Sequence, residues 1–341
     1  MGSDHPASAK RAPGGVLFAA RARAYVLLVL GIVIGVSGYS LRRNGLFSCQ
    51  ATGYVSNHYL AYCQATSYGD YDHGAFWFGL EPQASEAAAN ADVLFLGNSR
   101  MELGFSSRAT DDWFTALSAR YFLMGFSHYA NVVFEAPLVR KLSPRARVYV
   151  INSDRFFEQS ESQPAHTVLR DSSARIRYEQ KRHWQPVHRA LCSAIPAICR
   201  DEYVIYRSRV TGSWQVTGGQ IKNVPVSYDG EGKDQGALEG YVTAGQAFLS
   251  TLPVDRECVI LALVPYVKTD VTTASLLAGR LGITLIAPQP DSLNTFDGGH
   301  LDRPSAERWS AAFFEAAGPR IRKCLNAGRP AATAQAAGGT R

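Results

Sequence analysis

D-V-L-F-L-G-N-S-R-M-E-L-G, from Asp92 to Gly104, joins a short apolar run to a polar turn. The apolar run from Val93 to Leu96 predicts a strand that is buried on both faces of a sheet. Gly97 permits a sharp bend, and Ser99 then follows at the carboxyl end of the strand, where open α/β sheets bind ligands. The position suits a nucleophile. An ordinary turn, in which Asn98 and Ser99 bond the local backbone, fits the same letters.

A second polar motif, F-D-G-G-H-L, lies near the other end of the chain at residues 296–301, and Pro304 follows it with a predicted helix through Ala317. A serine hydroxyl becomes a good nucleophile when a histidine removes its proton, and that imidazole needs an acceptor that fixes its tautomer. Asp297 and His300 supply these two groups. Because the intervening glycines suit a tight loop, we expect both side chains to project towards Ser99.

These two motifs resemble the SGNH/GDSL hydrolase superfamily, particularly its membrane-anchored bacterial branch that handles acyl groups on envelope polymers. The resemblance covers roughly residues 91–325 and matches Ser99, Asp297 and His300 to the family's catalytic triad. It implies an oxyanion hole formed by the N–H groups of Ser99 and Gly125, with an asparagine after the third strand. Asn152 is the only nearby candidate for that asparagine.

The chain departs from the family pattern at two places. Gly97-Asn98-Ser99-Arg100 stands where the family often has Gly-Asp-Ser-Leu, and the usual Gly-x-Asn-Asp is absent around Asn152. An alternative reading therefore stays open, in which Asn152 and Asp154 are turn residues at the end of a strand.

The predicted domain is an α/β domain of the flavodoxin-like, three-layer α/β/α type with a five-stranded parallel sheet. Strands that alternate with helices along the chain are typical of parallel sheets with right-handed crossovers. After the first strand, the pattern predicts strands at 121–124, 147–151, 258–264 and 283–286, and helices at 110–119, 129–142 and 272–281. Residues 42–90 are predicted to form a stem that packs on this domain. Residues 156–253 lack the alternation of strands and helices and are predicted to form an inserted segment.

A single apolar segment precedes the domain. The 18 residues from Ala24 to Leu41 carry no charge, and at about 1.5 Å per residue they nearly span a hydrocarbon core about 30 Å thick. The basic residues around this segment favour a cytoplasmic N-terminus over residues 1–23 and an exported domain: Lys10, Arg11, Arg21 and Arg23 before it, Arg42 and Arg43 after it. A cleavable signal peptide is the alternative.

Composition describes a globular protein: the chain has 341 residues, of which 46% are hydrophobic and 19% charged. The net charge of +6 is partly concentrated near the N-terminus, so we expect no nucleic-acid partner. The tail at 326–341 is low in complexity and predicts disorder.

All six cysteines follow the apolar segment, which suits an oxidising compartment. Closeness along the chain suggests the pairs Cys49–Cys63 and Cys192–Cys199, leaving Cys258 and Cys324, although sequence alone does not settle connectivity. No pair has the spacing of zinc ligands, so we expect neither a structural metal nor a cofactor.

Basic residues crowd the start of the insert: Arg170, Arg175, Arg177, Lys181, Arg182 and Arg189. They read either as a solvated helix face or as a surface for acidic polysaccharide, on which Trp184 and Trp214 could stack. His128 reads as a packing or surface residue. Arg100 and Glu102 read either as a charge pair beside the site or as the beginning of a helix.

The resemblance implies an extracytoplasmic enzyme, tethered to the bacterial inner membrane with its domain in the periplasm, that moves or removes an acetyl group on a cell-envelope polysaccharide. Esterase and transferase both remain open. A transferase would need an acyl donor from a multi-spanning membrane exporter, because one anchor helix cannot carry the donor across. The alternative function is an inactive domain of the same fold that binds polysaccharide or scaffolds an assembly complex.

Overall fold

The computed structural model describes residues 14–43, 49–51, 53–64, 68–199, 203–218, 222–230 and 235–327. Helices and strands alternate through much of the chain. In chain order they are α1 (Gly14–Arg43), β1 (His58–Cys63), β2 (Gly69–Asp70), α2 (Asp72–Trp77), α3 (Pro82–Ala89), β3 (Val93–Asn98), α4 (Ser99–Phe105), α5 (Arg108–Leu117), β4 (Tyr121–Phe126), α6 (Val132–Leu142), β5 (Val148–Asn152), α7 (Gln163–Arg170), α8 (Ala174–Ala194), β6 (Val204–Ser208), β7 (Trp214–Thr217), β8 (Val224–Pro225), α9 (Leu238–Leu249), β9 (Val259–Ala262), α10 (Val271–Leu281), β10 (Thr284–Ile286), β11 (Asn294–Thr295) and α11 (Arg303–Asn326).

The central sheet has five parallel strands in the order β10-β9-β5-β3-β4. Numbered along the chain, this order is 2-1-3-4-5, the flavodoxin-like arrangement. The prediction of a five-stranded parallel sheet is therefore confirmed. The order reverses between β3 and β5, and in open α/β sheets the crevice at such a switch point is where ligands bind.

Side chains of β3 alternate between two cores, one on each face of the sheet. Val93 and Phe95 belong to a core with aromatic residues of α5 and α11, whereas Leu94 and Leu96 pack with residues of α6, α9 and α10. Every residue of β3, β4 and β5 is buried, which explains why these strands read as continuous apolar runs. The sheet thus lies between two layers of helices.

A second, antiparallel sheet joins the predicted stem to the insert, in the order β2-β1-β6-β7. The sequence did not predict it, because its strands are short, come from segments far apart and lack clean alternation. The loop after β6 also covers the edge of the central sheet, since the N–H of Leu123 in β4 donates to the carbonyl of Thr211 at 2.8 Å. The stem is accordingly built into the domain.

Two helices differ from their predicted bounds. α6 begins at Val132 and not at Tyr129, because His128 and Tyr129 have φ angles of 57° and 55° that interrupt a helix before Asn131 caps it. α11 continues past Ala317 to Asn326, across an internal proline, because Ile321 and Leu325 bury their side chains against the sheet. Residues 1–13 of the predicted cytoplasmic segment lie outside the described residues, and so do residues 328–341 of the predicted disordered tail.

Helix α1 contains a 20-residue segment, Arg21–Ser40, that is long and apolar enough to cross a membrane. The two cysteine pairs suggested by closeness along the chain, Cys49–Cys63 and Cys192–Cys199, are present as disulfides, and so is the remaining pair, Cys258–Cys324. The first lies within the stem, the second closes the end of α8, and the third ties β9 to α11.

Candidate active site

Ser99, His300 and Asp297 form a continuous hydrogen-bonded chain. The Oγ of Ser99 lies 2.8 Å from Nε2 of His300, and Nδ1 of His300 lies 2.7 Å from Oδ2 of Asp297. Ser99 and His300 are 201 positions apart in sequence, so the fold alone brings them together. This order of groups allows the imidazole to take a proton from the hydroxyl while the carboxylate holds its opposite nitrogen.

The turn after β3 presents Ser99. Gly97 has a φ of 154°, and a Cβ at this position would lie 3.0 Å from the Cβ atoms of both Asn152 and Met101. Glycine is therefore required here. Asn98 then caps α4, since its Oδ1 accepts from the N–H of Arg100 at 3.0 Å, and Ser99 is the first residue of the helix. The hydroxyl is thereby fixed at the carboxyl edge of the sheet, beside the switch point.

The loop from Phe296 to His300 is closed by its own backbone. The N–H of Phe296 donates to the carbonyl of His300 at 3.0 Å, and the Phe296 ring stacks on the imidazole with centroids 5.6 Å apart. Gly298 has a φ of 92°, and its N–H donates to Oγ1 of Thr295 at 3.0 Å. These contacts fix the orientation of the histidine ring.

Asp297 is held through both of its oxygens. Oδ1 accepts the backbone N–H groups of Gly299 and His300, each at 2.8 Å, while Oδ2 faces the imidazole. Burial acts to raise the pKa of Asp297, but the hydrogen bond and charge of His300, together with the two backbone N–H groups, outweigh it and lower the pKa. The carboxylate is therefore ionised at neutral pH and able to fix the tautomer of His300.

Arg100 links the two halves of the site, a role that the sequence did not predict. Its Nε donates to the carbonyl of Gly299 at 3.0 Å, its NH1 donates to Oδ2 of Asp154, and its guanidinium lies 3.7 Å from the centre of the Tyr266 ring. The side chain of Asn98 donates to the same Asp154 oxygen at 2.9 Å. Arg100 thus joins the turn that carries the serine to the loop that carries the histidine. The position of Arg100 directly after Ser99 is the only feature of the sequence that indicates this role.

The backbone N–H of Gly125, which the oxyanion hypothesis assigns to the substrate, has an acceptor within the protein. This N–H donates to Oε1 of Glu102 at 2.8 Å and is therefore not available to a substrate oxyanion. Packing explains why this residue is a glycine, because a Cβ at this position would lie 2.7 Å from Cε of Met101 and 2.8 Å from the carbonyl oxygen of Asn98. The oxyanion role of Gly125 therefore stays a prediction, and it would require this N–H to exchange Glu102 for the substrate.

Asn152 lies at the end of β5, on the other side of the switch point from Gly97. Its Oδ1 accepts the N–H of Val264 at 3.0 Å, whereas its Nδ2 is buried and has no partner among the described residues. A buried amide without an acceptor is uncommon and calls for an explanation. Together with the N–H of Ser99, which begins α4, it is a remaining candidate oxyanion donor.

Arg100 and Glu102 do not pair with each other. Glu102 is fully buried and lies 2.9 Å from NH1 of Arg207, whose guanidinium also faces Asp72 at 2.8 Å. Burial raises the pKa of Glu102 to about 8, while Arg207 and the N–H of Gly125 act to lower it. Burial likewise raises the pKa of Asp72. The single positive charge of Arg207 balances only one of the two carboxylates, Glu102 or Asp72. One of the two carboxyl groups therefore keeps its proton. The cluster holds α4 against β4.

Two cavities flank the site. One, of about 420 Å³, lies on the side of Arg100 and is lined by charged and aromatic side chains, among them Asp154, Arg155, Tyr129 and Tyr266. The other is an open groove of about 1110 Å³ on the side of Asp297. Aromatic rings line this groove: Tyr62, Tyr203, Trp214 and Phe296. The groove is large enough for several sugar rings.

No protein-family model, curated protein or solved structure matches the chain.

The other residues selected from the sequence lie outside the hydrogen-bonded chain. His128 is exposed, and its ring lies edge-on to that of Tyr62 at a centroid distance of 5.6 Å. Burial lowers the pKa of His128, although Asp70 opposes this effect. The Trp214 ring is buried under the guanidinium of Arg207, whereas Trp184 is 53% exposed.

The basic residues of the insert line neither cavity, and several pair along the helix surface. Arg170 pairs with Glu161, Arg175 with Glu179 and Arg177 with Asp171. This arrangement is that of a solvated helix face.

One cluster with the spacing of metal ligands occurs among the described residues, formed by His188, Cys192 and Cys199. The two sulfurs are joined in a disulfide, and the imidazole bonds to the carbonyl of Cys49 and to the hydroxyl of Tyr54. Metal binding by cysteine requires the thiolate, so this cluster does not have the chemistry of a zinc site.

Proposed function

We propose that the protein transfers or hydrolyses acyl groups through an acyl-enzyme on Ser99. The observation that carries the proposal is the hydrogen-bonded chain from the Ser99 hydroxyl through His300 to an ionised Asp297. A serine with such neighbours is activated for attack on a carbonyl carbon. The position of Ser99 at the switch point of a parallel sheet also supports the proposal.

The reaction begins when Nε2 of His300 accepts the proton of the Ser99 hydroxyl as its oxygen attacks the acyl carbonyl. Asp297 stabilises the resulting imidazolium through Nδ1. The developing oxyanion is stabilised by the N–H of Ser99 and by the amide of Asn152, once substrate binding brings the carbonyl oxygen to them. His300 then returns the proton to the leaving oxygen, and the acyl group remains on Ser99. Water or a sugar hydroxyl, deprotonated by His300, releases it.

The substrate class we propose is an O-acetylated polysaccharide of the cell envelope, as in the membrane-anchored branch of the SGNH hydrolases. The groove beside Asp297 supports this choice, because aromatic rings such as Tyr62 and Tyr203 present flat faces on which sugars stack. An apolar N-terminal helix and three disulfides favour a tethered domain outside the cytoplasm. In a transferase, a multi-spanning exporter would supply the acetyl donor.

The direct test uses the full chain in detergent with a chromogenic acetyl ester and a serine-directed phosphonate. We expect hydrolysis of the ester and stoichiometric labelling of Ser99. The Ser99→Ala variant should lose both, whereas Ser107→Ala, a change at a neighbouring buried serine, should keep both. An intact protein with no esterase activity and no phosphonate label would contradict the proposal.

A non-catalytic polysaccharide-binding or scaffold domain is the second candidate. The observation that favours it is the occupied N–H of Gly125, which removes a donor that the family uses in its oxyanion hole. The two candidates differ in the cell. Under the scaffold hypothesis, Ser99→Ala leaves polymer modification unchanged. Under the proposed enzyme function, the same variant abolishes acetylation or deacetylation while the protein is present at its normal level.

A further inference from the structure

The outer face of helix α8 is apolar although it is exposed. The inner face follows a seven-residue repeat and is buried against the domain through Tyr178, Gln185, His188 and Cys192. On the opposite side, the apolar residues are well exposed: Ile176 at 60%, Trp184 at 53%, Val187 at 39%, Leu191 at 37% and, at the helix end, Ile195 at 51%. Contiguous exposed apolar surface of this kind marks a contact with a partner or a membrane.

The apolar character of this face increases toward the end of α8. From Trp184 onward, the exposed outward positions are Trp184, Val187, Ala190, Leu191, Ala194 and Ile195. The helix end then leads into a short 3-10 turn, Pro196–Ile198, and this turn lies next to α1. The exposed apolar face is therefore adjacent to the helix that is long and apolar enough to cross a membrane.

The charged residues of α8 lie on other sides of the helix from this apolar face. At about 100° per residue, Arg182 and Arg189 lie roughly 140–160° around the helix from Trp184, next to the buried inner face. Further toward the start of the helix, Arg175 and Arg177 are paired with carboxylates. An exposed tryptophan with aliphatic neighbours is typical of helices that lie in the interface of a membrane.

We propose that the outer face of α8 docks on the bilayer that α1 crosses, with Trp184, Val187 and Leu191 at the boundary of headgroups and acyl chains. The proposal rests on α1 as a membrane span and is independent of the chemistry at Ser99. It gives the domain a second membrane contact beside its tether, which restricts rotation of the domain and fixes the direction in which the two cavities open.

Tryptophan fluorescence with brominated lipids tests this docking. The protein has five tryptophans, and Trp184 is the exposed one, since the side chains of Trp77, Trp113, Trp214 and Trp309 are buried or partly buried. The full chain is reconstituted into vesicles of phosphatidylcholine and phosphatidylglycerol with bromine on the acyl chains. We expect these lipids to quench most of the emission that distinguishes the wild type from Trp184→Phe.

A pair of substitutions provides the matched control. Val187→Asp combined with Leu191→Asp should restore Trp184 emission, because two carboxylates oppose insertion into an acidic interface. Leu276→Asp changes an equally exposed leucine, 45% accessible on α10, and should leave the quenching unchanged. Trp184 emission that brominated lipids do not quench would overturn the proposal, as would protein that a carbonate wash releases from the vesicles.

Discussion

At the scale of single residues, the site depends on an aspartate that uses each oxygen for a different purpose. Oδ1 of Asp297 organises the loop through two backbone N–H groups, and Oδ2 fixes the tautomer of His300. The substitution Asp297→Asn separates the organisation of the loop from the control of the tautomer. The amide oxygen can still accept from the backbone, but its NH₂ group would face Nδ1 and place the imidazole proton on the nitrogen that must accept from Ser99.

We therefore expect Asp297→Asn to fold normally and to lose about 10⁴-fold in kcat, as a comparable change does in a serine protease. Ester hydrolysis measures the loss and circular dichroism checks the fold. His128→Asn is the control, because asparagine tolerates the positive φ at this position, and it should retain nearly full activity. A His128 variant as inactive as the Asp297 variant would show that the base has been assigned to the wrong histidine.

Arg100 is a positioning residue whose effect should appear in turnover. A lysine ammonium lacks the planar fork with which Arg100 reaches the carbonyl of Gly299 and Asp154 through separate nitrogens, and it cannot stack as a planar group on Tyr266. Because small displacements of catalytic groups can cost about 10²-fold, we expect Arg100→Lys to lower kcat by about this factor. Slower phosphonate labelling that still occurs at Ser99 would accompany the loss. Unchanged kcat with a raised KM would assign Arg100 to substrate binding instead.

At the scale of elements, Glu102 couples the stability of α4 to pH. Its pKa is raised to about 8 from an ordinary value of 4.5, so the stability that its proton provides is complete below about 4.5 and is lost as pH rises through about 8. Asp297 and Asp92, whose pKa values are lowered, act in the opposite sense and at more acidic pH. His58, His128 and His188, whose pKa values are lowered by burial, also act in the opposite sense, at about pH 6.5 and below. The range from about pH 6.5 to 8 therefore reports most directly on the raised carboxyl groups.

Denaturant unfolding across this window should show wild-type stability falling with pH, by up to about 1.4 kcal/mol per pH unit for one group. Glu102→Gln keeps an acceptor for the N–H of Gly125 and should reduce the slope, with the remainder due to Asp72 and Glu135, whose pKa values burial also raises. Glu102→Ala leaves that N–H unsatisfied and should cost about 1–3 kcal/mol throughout. A glutamine variant with the wild-type slope would show that Glu102 is ionised in the folded state.

The central sheet could be predicted from sequence because its strands are short apolar runs in a regular alternation with helices. Each of these features is local, and Val93–Asn98 is the clearest case. The antiparallel sheet could not be predicted, because β1 pairs with β6 across more than a hundred residues and neither strand alternates cleanly. Long-range pairing of weak strands is decided by packing on the domain and not by local preference.

The same limit applies to the candidate site. The sequence alone predicts one site from the residue types of Ser99, Asp297 and His300 and from the glycines that flank them. The partner of the Gly125 N–H could not be predicted, because Glu102 is buried there through Arg207, which the insert supplies. The role of Arg100 depends in the same way on Asp154 and Tyr266, which other loops bring to it.

At the scale of the whole molecule, the three disulfides agree with an exported domain. Described cysteines are all paired, and each pair lies after α1 in sequence. We expect no thiol to react with a mass tag when protein from its native host is denatured without reductant, and six to react after reduction. Six reactive thiols before reduction would contradict placement of the domain outside the cytoplasm.

In the proposed reaction, Ser99 carries the acyl group. The most direct measurement is peptide mass mapping of the full chain after brief reaction with a chromogenic acetyl ester and an acid quench. We predict one added acetyl group on the peptide that contains Ser99, absent from Ser99→Ala and strongly reduced in Asp297→Asn. Turnover of the ester with no acetylated Ser99 peptide, or with the acetyl group on another residue, would contradict this assignment.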